Sequence, residues 1–270
     1  MTIVTRAALA AWMVVIALPG RASAQDSQCR SLRRNNFRLN SAGLHLDVAD
    51  RTTTFPDQKR GRANDALRAL REAIGADGVD QFSAWYLSAR AHAILNDLTG
   101  ADSAWTRASA LAPNDAGCLN EITRQRRNLW IPIQNEAVAQ ITAQNYDSAL
   151  ALLRKSNTVY RDDPSGYMNM ASVFLTQEKP DSAINAFRLA SMAGTSADRA
   201  EVRLSATRLV AQMLQRNNQL AEAEVAWRNY IRLKPSDMTA RGNLALVLTG
   251  LHRSQDAAEV YDSIIAMADS

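Results

Sequence analysis

The side chains that carry most enzyme chemistry are few and scattered in this sequence. The three histidines, His45, His92 and His252, lie far apart, and His92 falls where a helix needs a packing residue, so we expect it in the core. Asp162 and Asp163 directly precede a proline, which is typical of a turn and a helix cap. No serine-hydrolase, zinc-protease, P-loop or dinucleotide-binding motif occurs. The sequence therefore predicts a protein that is not an enzyme and uses no metal or cofactor; an enzyme with an unrecognised site is the less favoured alternative.

The two cysteines, Cys29 and Cys118, admit two interpretations. In an oxidising compartment they can form a disulfide, and a loop of this length would stabilise the chain by about 4–5 kcal/mol in the chain-entropy model. The alternative is two free thiols, one in a loose tail and one in the loop before a helix. Two cysteines without a CxxC spacing do not favour a zinc site.

The first 24 residues have the pattern of a secretory signal peptide. Arg6 supplies the positive charge, Ala7–Leu18 is an apolar stretch, and small residues at 22 and 24 form a cleavage site. The apolar stretch is too short to span a bilayer comfortably, and no later stretch is suited to crossing one. We therefore expect cleavage after Ala24 and a periplasmic or secreted mature chain. An uncleaved N-terminal anchor is the alternative.

Charge gives little reason to expect a nucleic-acid partner. Without the two arginines of the leader, 29 basic residues stand against 27 acidic ones. The densest basic cluster is Arg124, Arg126 and Arg127 on one helical segment, and such a cluster is usually a solvated helix face.

A repeated triplet indicates how the chain is organised. An alanine is followed four residues later by a bulky side chain and seven residues later by another packing residue, the spacing of one helix face. The alanines recur at steps of 35, 48, 34, 40 and 34 residues. The longest step adds residues within 116–130, and Pro132 predicts a kink or a fresh helix start there. The six alanines are Ala66, Ala101, Ala149, Ala183, Ala223 and Ala257.

The small–bulky–small pattern and its basic step of 34 residues resemble the tetratricopeptide repeat, a helical hairpin of that length. The resemblance implies an all-α fold, a right-handed α-solenoid of about five to six stacked antiparallel hairpins. It covers residues 57–270. The signal peptide, 1–24, and a tail with an irregular first helix, 25–56, precede it.

In this family the first helices of the hairpins line a concave groove that binds a peptide or protein. The resemblance therefore implies an exported scaffold for protein–protein interaction; the alternative is an accessory subunit of a cell-envelope assembly that grips a folded partner. The lysines of the family's carboxylate clamp are replaced by Gln134, Met168 and Gly242, which leaves Arg208 as the candidate to hold a carboxylate. The polar residues expected on the groove are Arg90, Asn135, Asn169, Arg208, Gln212 and Asn243.

The last helix carries more apolar residues than one neighbouring helix can cover. Tyr261 and Ile264 face the preceding helix, which leaves part of the set Val260, Ile265 and Met267 exposed. We therefore expect this end to be covered by a second copy of the chain, giving a homodimer, or by the physiological partner. An exposed stripe softened by neighbouring polar residues is the alternative.

Overall fold

The computed structural model describes residues 29–52, 54–194 and 197–268, so the predicted signal peptide and its cleavage site lie outside the described residues. These residues form twelve α-helices and one turn of 3-10 helix, Ala197–Arg199, with no strand among them. Within the same ranges, no helix is both long enough and apolar enough to cross a bilayer. The helices are α1 (Phe37–Arg51), α2 (Pro56–Ala73), α3 (Gln81–Ile94), α4 (Leu98–Leu111), α5 (Ala116–Thr142), α6 (Tyr146–Val159), α7 (Pro164–Thr176), α8 (Pro180–Met192), α9 (Ala200–Arg216), α10 (Leu220–Leu233), α11 (Met238–Gly250) and α12 (Ser254–Ala268).

The helices form two compact units, each built from hairpins. The N-terminal unit holds the described residues up to 135 together with 154–160; the C-terminal unit holds 136–153 and the described residues from 161. In the first unit α1 packs on α2, α3 packs on α4, and α2 adjoins α3. In the second, α7 and α8, α9 and α10, and α11 and α12 pack in pairs, and each pair adjoins the next. The chain is thus an all-α fold of repeated hairpins, as predicted; the hand of a superhelix stays a prediction.

Five of the turns between paired helices share one backbone conformation. In each, a non-glycine residue has a φ between 56° and 61°, the left-handed region, and its N–H donates to the carbonyl three residues earlier. The next residue's N–H reaches the carbonyl five residues earlier. Each turn residue stands five positions before the alanine of its triplet, so the structure confirms the repeat register of the last five triplets. The turn residues are Asn96, Gln144, Glu178, Asn218 and His252.

Replacing Glu178 by glycine is expected to stabilise the protein by about 0.5–1 kcal/mol. A side chain in the left-handed region costs about 1–2 kcal/mol, and glycine removes that cost while adding some entropy to the unfolded chain. Glu178 is exposed, so no packing is lost. Urea unfolding measures the change. The control is Asn96→Gly, whose effect should be smaller because asparagine tolerates this conformation. A destabilised Glu178→Gly variant would contradict the account.

The repeated alanines lie on the buried faces of the paired helices. All six are buried, and the bulky residues that follow them by four positions are buried in the first five repeats, including Trp105, Phe187 and Trp227. The sixth differs, since Tyr261 is 43% exposed. Small side chains at these positions let two helix backbones approach, and the neighbouring aromatic rings fill the space beside them.

Two irregular segments of the sequence can be compared with the structure. At Pro132 a fresh helix start is excluded, because α5 runs through it as one helix of 27 residues; the alternative, a kink, stays a prediction. The proline removes one backbone donor from the helix interior, and packing on both sides compensates: Trp130 and Gln134 are buried. The first helix is also regular, since α1 buries Leu39, Ala42 and Leu46 against α2 and α3.

Candidate functional site

The first helices of the N-terminal unit carry a linked set of charges. Arg90 on α3 lies 2.5 Å from a carboxylate oxygen of Asp50 and 3.6 Å from one of Asp47, both on α1. Arg34 pairs with Asp47 from the other side at 3.0 Å. Burial raises the pKa of Asp47, but the hydrogen bonds and charges of Arg34 and Arg90 outweigh it, so the pKa lies below its ordinary value. Arg90, predicted to face a partner, is therefore already held by two carboxylates.

A second polar cluster joins α3 to α5. The Tyr86 hydroxyl donates to Glu121 at 2.9 Å, and Gln125 and Arg124 donate to the same carboxylate. Burial and then the neighbouring Glu121 charge raise the pKa of Tyr86 well above its ordinary value. Tyr86 therefore remains a protonated donor at every physiological pH, which fixes the position of α5 against α3.

Between these clusters the N-terminal unit has a pocket of about 250 Å³. Residues of the first helices α1, α3 and α5 form most of its wall, and Lys59 of α2 and Trp105 of α4 complete it. The lining combines cationic, anionic and apolar groups, so the pocket can accept a small polar side chain rather than a large apolar one.

The predicted asparagines of the groove occupy different environments. Asn135 is exposed, whereas Asn169 is 1% exposed, so the expectation that Asn169 presents its amide on an open face is not met. The N-terminal half of α7 is covered, since Pro164, Ser165 and Gly166 are buried along with it. Gln134 is buried too and donates to Ser156 at 2.6 Å.

On the first helices of the C-terminal unit, Arg208 and Gln212 of α9 and Asn243 of α11 are half-buried. Arg208 makes no ion pair or hydrogen bond with any described residue, and its Nε is buried. Burial raises the pKa of Tyr230, and the Arg208 charge opposes that rise; the same charge helps to lower the pKa of Asp237, so Arg208 lies close to both. Those two residues are bonded to each other at 2.8 Å, and Asp237 caps α11. Arg208 therefore lies next to a structured turn but forms no ion pair with the Asp237 carboxylate, which is engaged by Tyr230 and by the start of α11.

The last helix presents apolar side chains, as expected, although the exposed members differ in part. Ile265 is 59% exposed, whereas Val260 and Met267 are half-buried and Val260 packs on the core. Tyr261, expected to be covered by α11, is exposed. Whether a second copy or another partner covers this face stays a prediction.

The C-terminal unit has a feature that sequence reasoning missed. A cavity of about 450 Å³ lies among α8, α9 and α10, with Val210 and Leu214 in its wall and the Arg188–Glu222 ion pair, 2.6 Å long, beside them. Among the exposed large apolar side chains on these helices, Met192 and Val225 are the most exposed. Their signal in the sequence is weak, because they lie between triplet positions on helices whose buried faces dominate the pattern.

A disulfide joins Cys29 to Cys118, with Cα atoms 4.1 Å apart, and fastens the segment before α1 to the start of α5. Asp115 reinforces it, accepting hydrogen bonds from the N–H and hydroxyl of Ser31 at 2.9 and 2.8 Å and capping α5 through the Cys118 N–H. These hydrogen bonds, that from Cys118 first, lower the pKa of Asp115. The ionised Asp115 therefore contributes its full stabilisation above the ordinary carboxyl pKa. That contribution is lost as the pH falls through the lower pKa that Asp115 has in the folded protein.

Cys29, Cys118 and Asp115 are close enough to share an ion, but both sulfurs are committed to the disulfide and supply no thiolate.

The histidines have local roles in the structure. His92 is half-buried rather than in the core, and its Nδ1 lies 2.8 Å from Asp97, the N-cap of α4. Gly100 permits this pair, because a Cβ there would lie 2.5 Å from the His92 ring and also meet Asp97. His45 lies 3.9 Å from Asp65, and His252 is the exposed turn residue before α12. These contacts support turns and helix ends.

Comparisons with known proteins found one family model and several solved structures. A sequence model of the tetratricopeptide repeat matches residues 58–116 and 211–270. Similar solved structures include a MamA protein, 14% identical over 70% of this chain and 92% of that one with a TM-score of 0.39, and a second MamA structure, 15% identical over 67% and 94% with a TM-score of 0.38. Another is the APC/C hetero-tetramer Cut9–Hcn1, 18% identical over 85% of this chain and 46% of that one with a TM-score of 0.34.

No curated protein sequence matches the chain. The repeated hairpins and their common turns agree with the two matched regions: residues 58–116 and 211–270 are tetratricopeptide repeats.

Proposed function

We propose that this chain is an exported scaffold that binds a protein partner through the first-helix face of its C-terminal unit, with Arg208 as the anchor for a partner carboxylate. Tetratricopeptide repeats serve as protein–protein interaction scaffolds, which supports the general class. The observation that carries the specific proposal is that Arg208 is half-buried, with a buried Nε, and has no hydrogen bond or ion pair to a carboxylate of any described residue.

Three other half-buried arginines of this chain give the contrast, whereas Arg127 of α5, like Arg208, has a buried Nε without a partner among the described residues. Arg90 pairs with Asp50, Arg126 with Asp102 and Arg199 with Asp163. Holding a partly desolvated guanidinium without a carboxylate costs free energy that a bound carboxylate returns, and a planar guanidinium matches that group with two parallel hydrogen bonds. Gln212 on the same helix and Asn243 on the next supply amides for the backbone of the bound segment.

Export is supported by the leader pattern of residues 1–24 and by the disulfide, because disulfides persist mainly in oxidising compartments. Intact mass of the protein recovered from the cell envelope or medium tests this part. We expect a mature N-terminus at Gln25; a membrane-bound product that keeps Met1–Ala24 would contradict it.

Arg208→Ala is expected to weaken partner binding at least tenfold, since a charge-assisted pair that is partly shielded from water contributes about 1.5–3 kcal/mol. A random peptide library selected on the wild-type protein should enrich sequences with an acidic residue or a free C-terminus at one fixed position. Titration of an enriched peptide into both proteins measures the loss.

The matched control for that titration is Arg232→Ala, which removes an exposed arginine of α10 and should leave affinity unchanged. Enriched peptides without a carboxylate at any fixed position, or equal affinity in the Arg208 variant, would contradict the proposed anchor.

A folded partner gripped by an accessory subunit is the second candidate. Two exposed apolar side chains of the C-terminal unit favour this candidate: Val225 in the wall of the cavity, and Met192 on α8. Exposed apolar side chains suit the apolar surface of a folded protein better than an extended polar segment. Val225→Glu separates the two: it should abolish capture of a folded partner and leave binding of the selected peptides unchanged.

A further inference from the structure

Two hairpins of the chain, α3–α4 and α9–α10, are built alike but differ in one hydrogen bond. Their turn residues, Asn96 and Asn218, have φ angles of 60° and 58°, and the backbone hydrogen bonds around them match position for position. A tryptophan follows each turn residue by nine positions, Trp105 in the first hairpin and Trp227 in the second, and both are buried.

In the second hairpin the indole N–H has an acceptor, and in the first it has none. The Trp227 N–H donates to the side-chain amide oxygen of Gln215 at 2.9 Å. Trp105 is 1% exposed, and its indole nitrogen is buried without a hydrogen-bond partner among the residues that the structure describes. Gln215 lies three residues before its turn residue, and the residue at that place in the first hairpin is Ala93.

Because the first hairpin has alanine at position 93, where the second has glutamine, it contains both an unpaired indole N–H and additional space. Ala93 and Trp105 both line the pocket of about 250 Å³ in the N-terminal unit. A buried N–H without an acceptor is unfavourable, and bulk water does not relieve it here because the nitrogen is shielded. Leu129 in the same wall is only partly buried, so its side chain can move aside for an acceptor.

The charges around the pocket indicate which acceptor fits. Arg90 and Lys59 are opposed by Asp50 in the wall and by Asp47, the second partner of Arg90. Arg90 is thus already paired, and a neutral acceptor can meet the Trp105 N–H without bringing a further charge out of water. A primary amide offers an oxygen for the Trp105 N–H and an NH₂ for Asp50, and it is the group that this chain itself uses at Trp227.

We propose that this pocket binds the side-chain amide of a glutamine or asparagine on the partner, with the Trp105 N–H as donor and Ala93 as the residue that leaves room for it. The inference rests on the proposed function, because it names a second anchor for the same partner. It assigns amide specificity to the N-terminal unit and carboxylate specificity to Arg208 in the C-terminal unit.

Proton–nitrogen spectra of the ¹⁵N-labelled mature protein test the pocket without the partner. The probe is N-acetyl-glutamine N-methylamide at about 10–50 mM, the range suited to a ligand with few contacts. The Trp105 indole signal, identified by its loss in Trp105→Phe, should shift saturably, while the Trp227 signal should not. An equal concentration of the norleucine analogue should leave both unchanged. A stronger shift with the glutamate analogue, or no saturable shift with glutamine, would overturn the proposal.

Two reciprocal variants make the test independent of folding losses. Ala93→Gln should supply the missing acceptor from within, move the Trp105 signal toward that of Trp227 and reduce the response to the probe at least fivefold. Gln215→Ala should leave the Trp227 N–H of the second hairpin without an acceptor, so that the Trp227 signal now shifts on addition of the probe. An Ala93→Gln protein that is folded and responds like the wild type would reject the site. Loss of peptide binding in Arg208→Ala alongside an unresponsive Trp105 would leave the proposed function standing and remove only this inference.

Discussion

Removal of the Cys29–Cys118 disulfide is expected to lower the free energy of unfolding of the N-terminal unit by about 4–5 kcal/mol. The two residues are 89 apart in sequence, so the bond removes many conformations from the unfolded chain. Because small domains are stable by only about 5–15 kcal/mol, this loss would leave the unit marginal at physiological temperature. The double variant Cys29→Ala/Cys118→Ala avoids a stray thiol and is the variant to measure.

Hydrogen exchange shows where that loss acts. Protection should fall first at Ser31 and Arg33, whose N–H groups donate to Asp115 and Ser83, while α11 and α12 of the other unit should keep theirs. A reducing agent should reproduce the effect in the wild type and change nothing further in the double variant. If neither the reduced wild type nor the double variant shows a changed melting curve, the hydrogen bonds from Ser31 to Asp115 are sufficient to hold the segment before α1 in place without the disulfide.

The sequence predicts the register of this fold well because the constraint on it is local. Where two helix backbones must approach, only a small side chain fits, so Ala101, Ala149 and Ala183 recur at fixed distances from their turns whatever else changes. The turn conformation itself carries little sequence signal. Its five left-handed positions hold asparagine, glutamine, glutamate and histidine rather than glycine, because the flanking helices impose the conformation.

The candidate site is predictable only in part, because side-chain availability depends on what packs against each helix. Arg208 is half-buried without a hydrogen-bonded carboxylate, but Asn169, chosen by the same register, is buried. Arg90, chosen in the same way, is already paired with Asp50. Register places a residue on a face of a helix; it does not determine which neighbours occupy that face.

The Trp105 pocket depends on a comparison that needs the structure. Trp105 and Trp227 are equivalent by register, and Ala93 and Gln215 can be aligned by counting back from each. Only the observed bond from Trp227 to Gln215 shows that the second pair of positions matters. Without it, an alanine at the end of α3 is an ordinary helical residue.

Ala183→Phe is expected to destabilise the C-terminal unit by about 3 kcal/mol or to prevent its folding, since extra volume in a well-packed crossing forces side chains and backbone apart. Ala183 is fully buried on α8, beside Ile184 and Phe187 in the core that α8 shares with α7 and α9. The matched control is Asn185→Phe, which adds a similar bulk two residues along the same helix at an exposed position and should change stability by less than about 0.5 kcal/mol. Circular-dichroism melts and urea unfolding of both variants measure the difference. Equal stability of Ala183→Phe and the wild type would mean that α7 and α8 do not approach at this alanine, and the repeat register would fail with it.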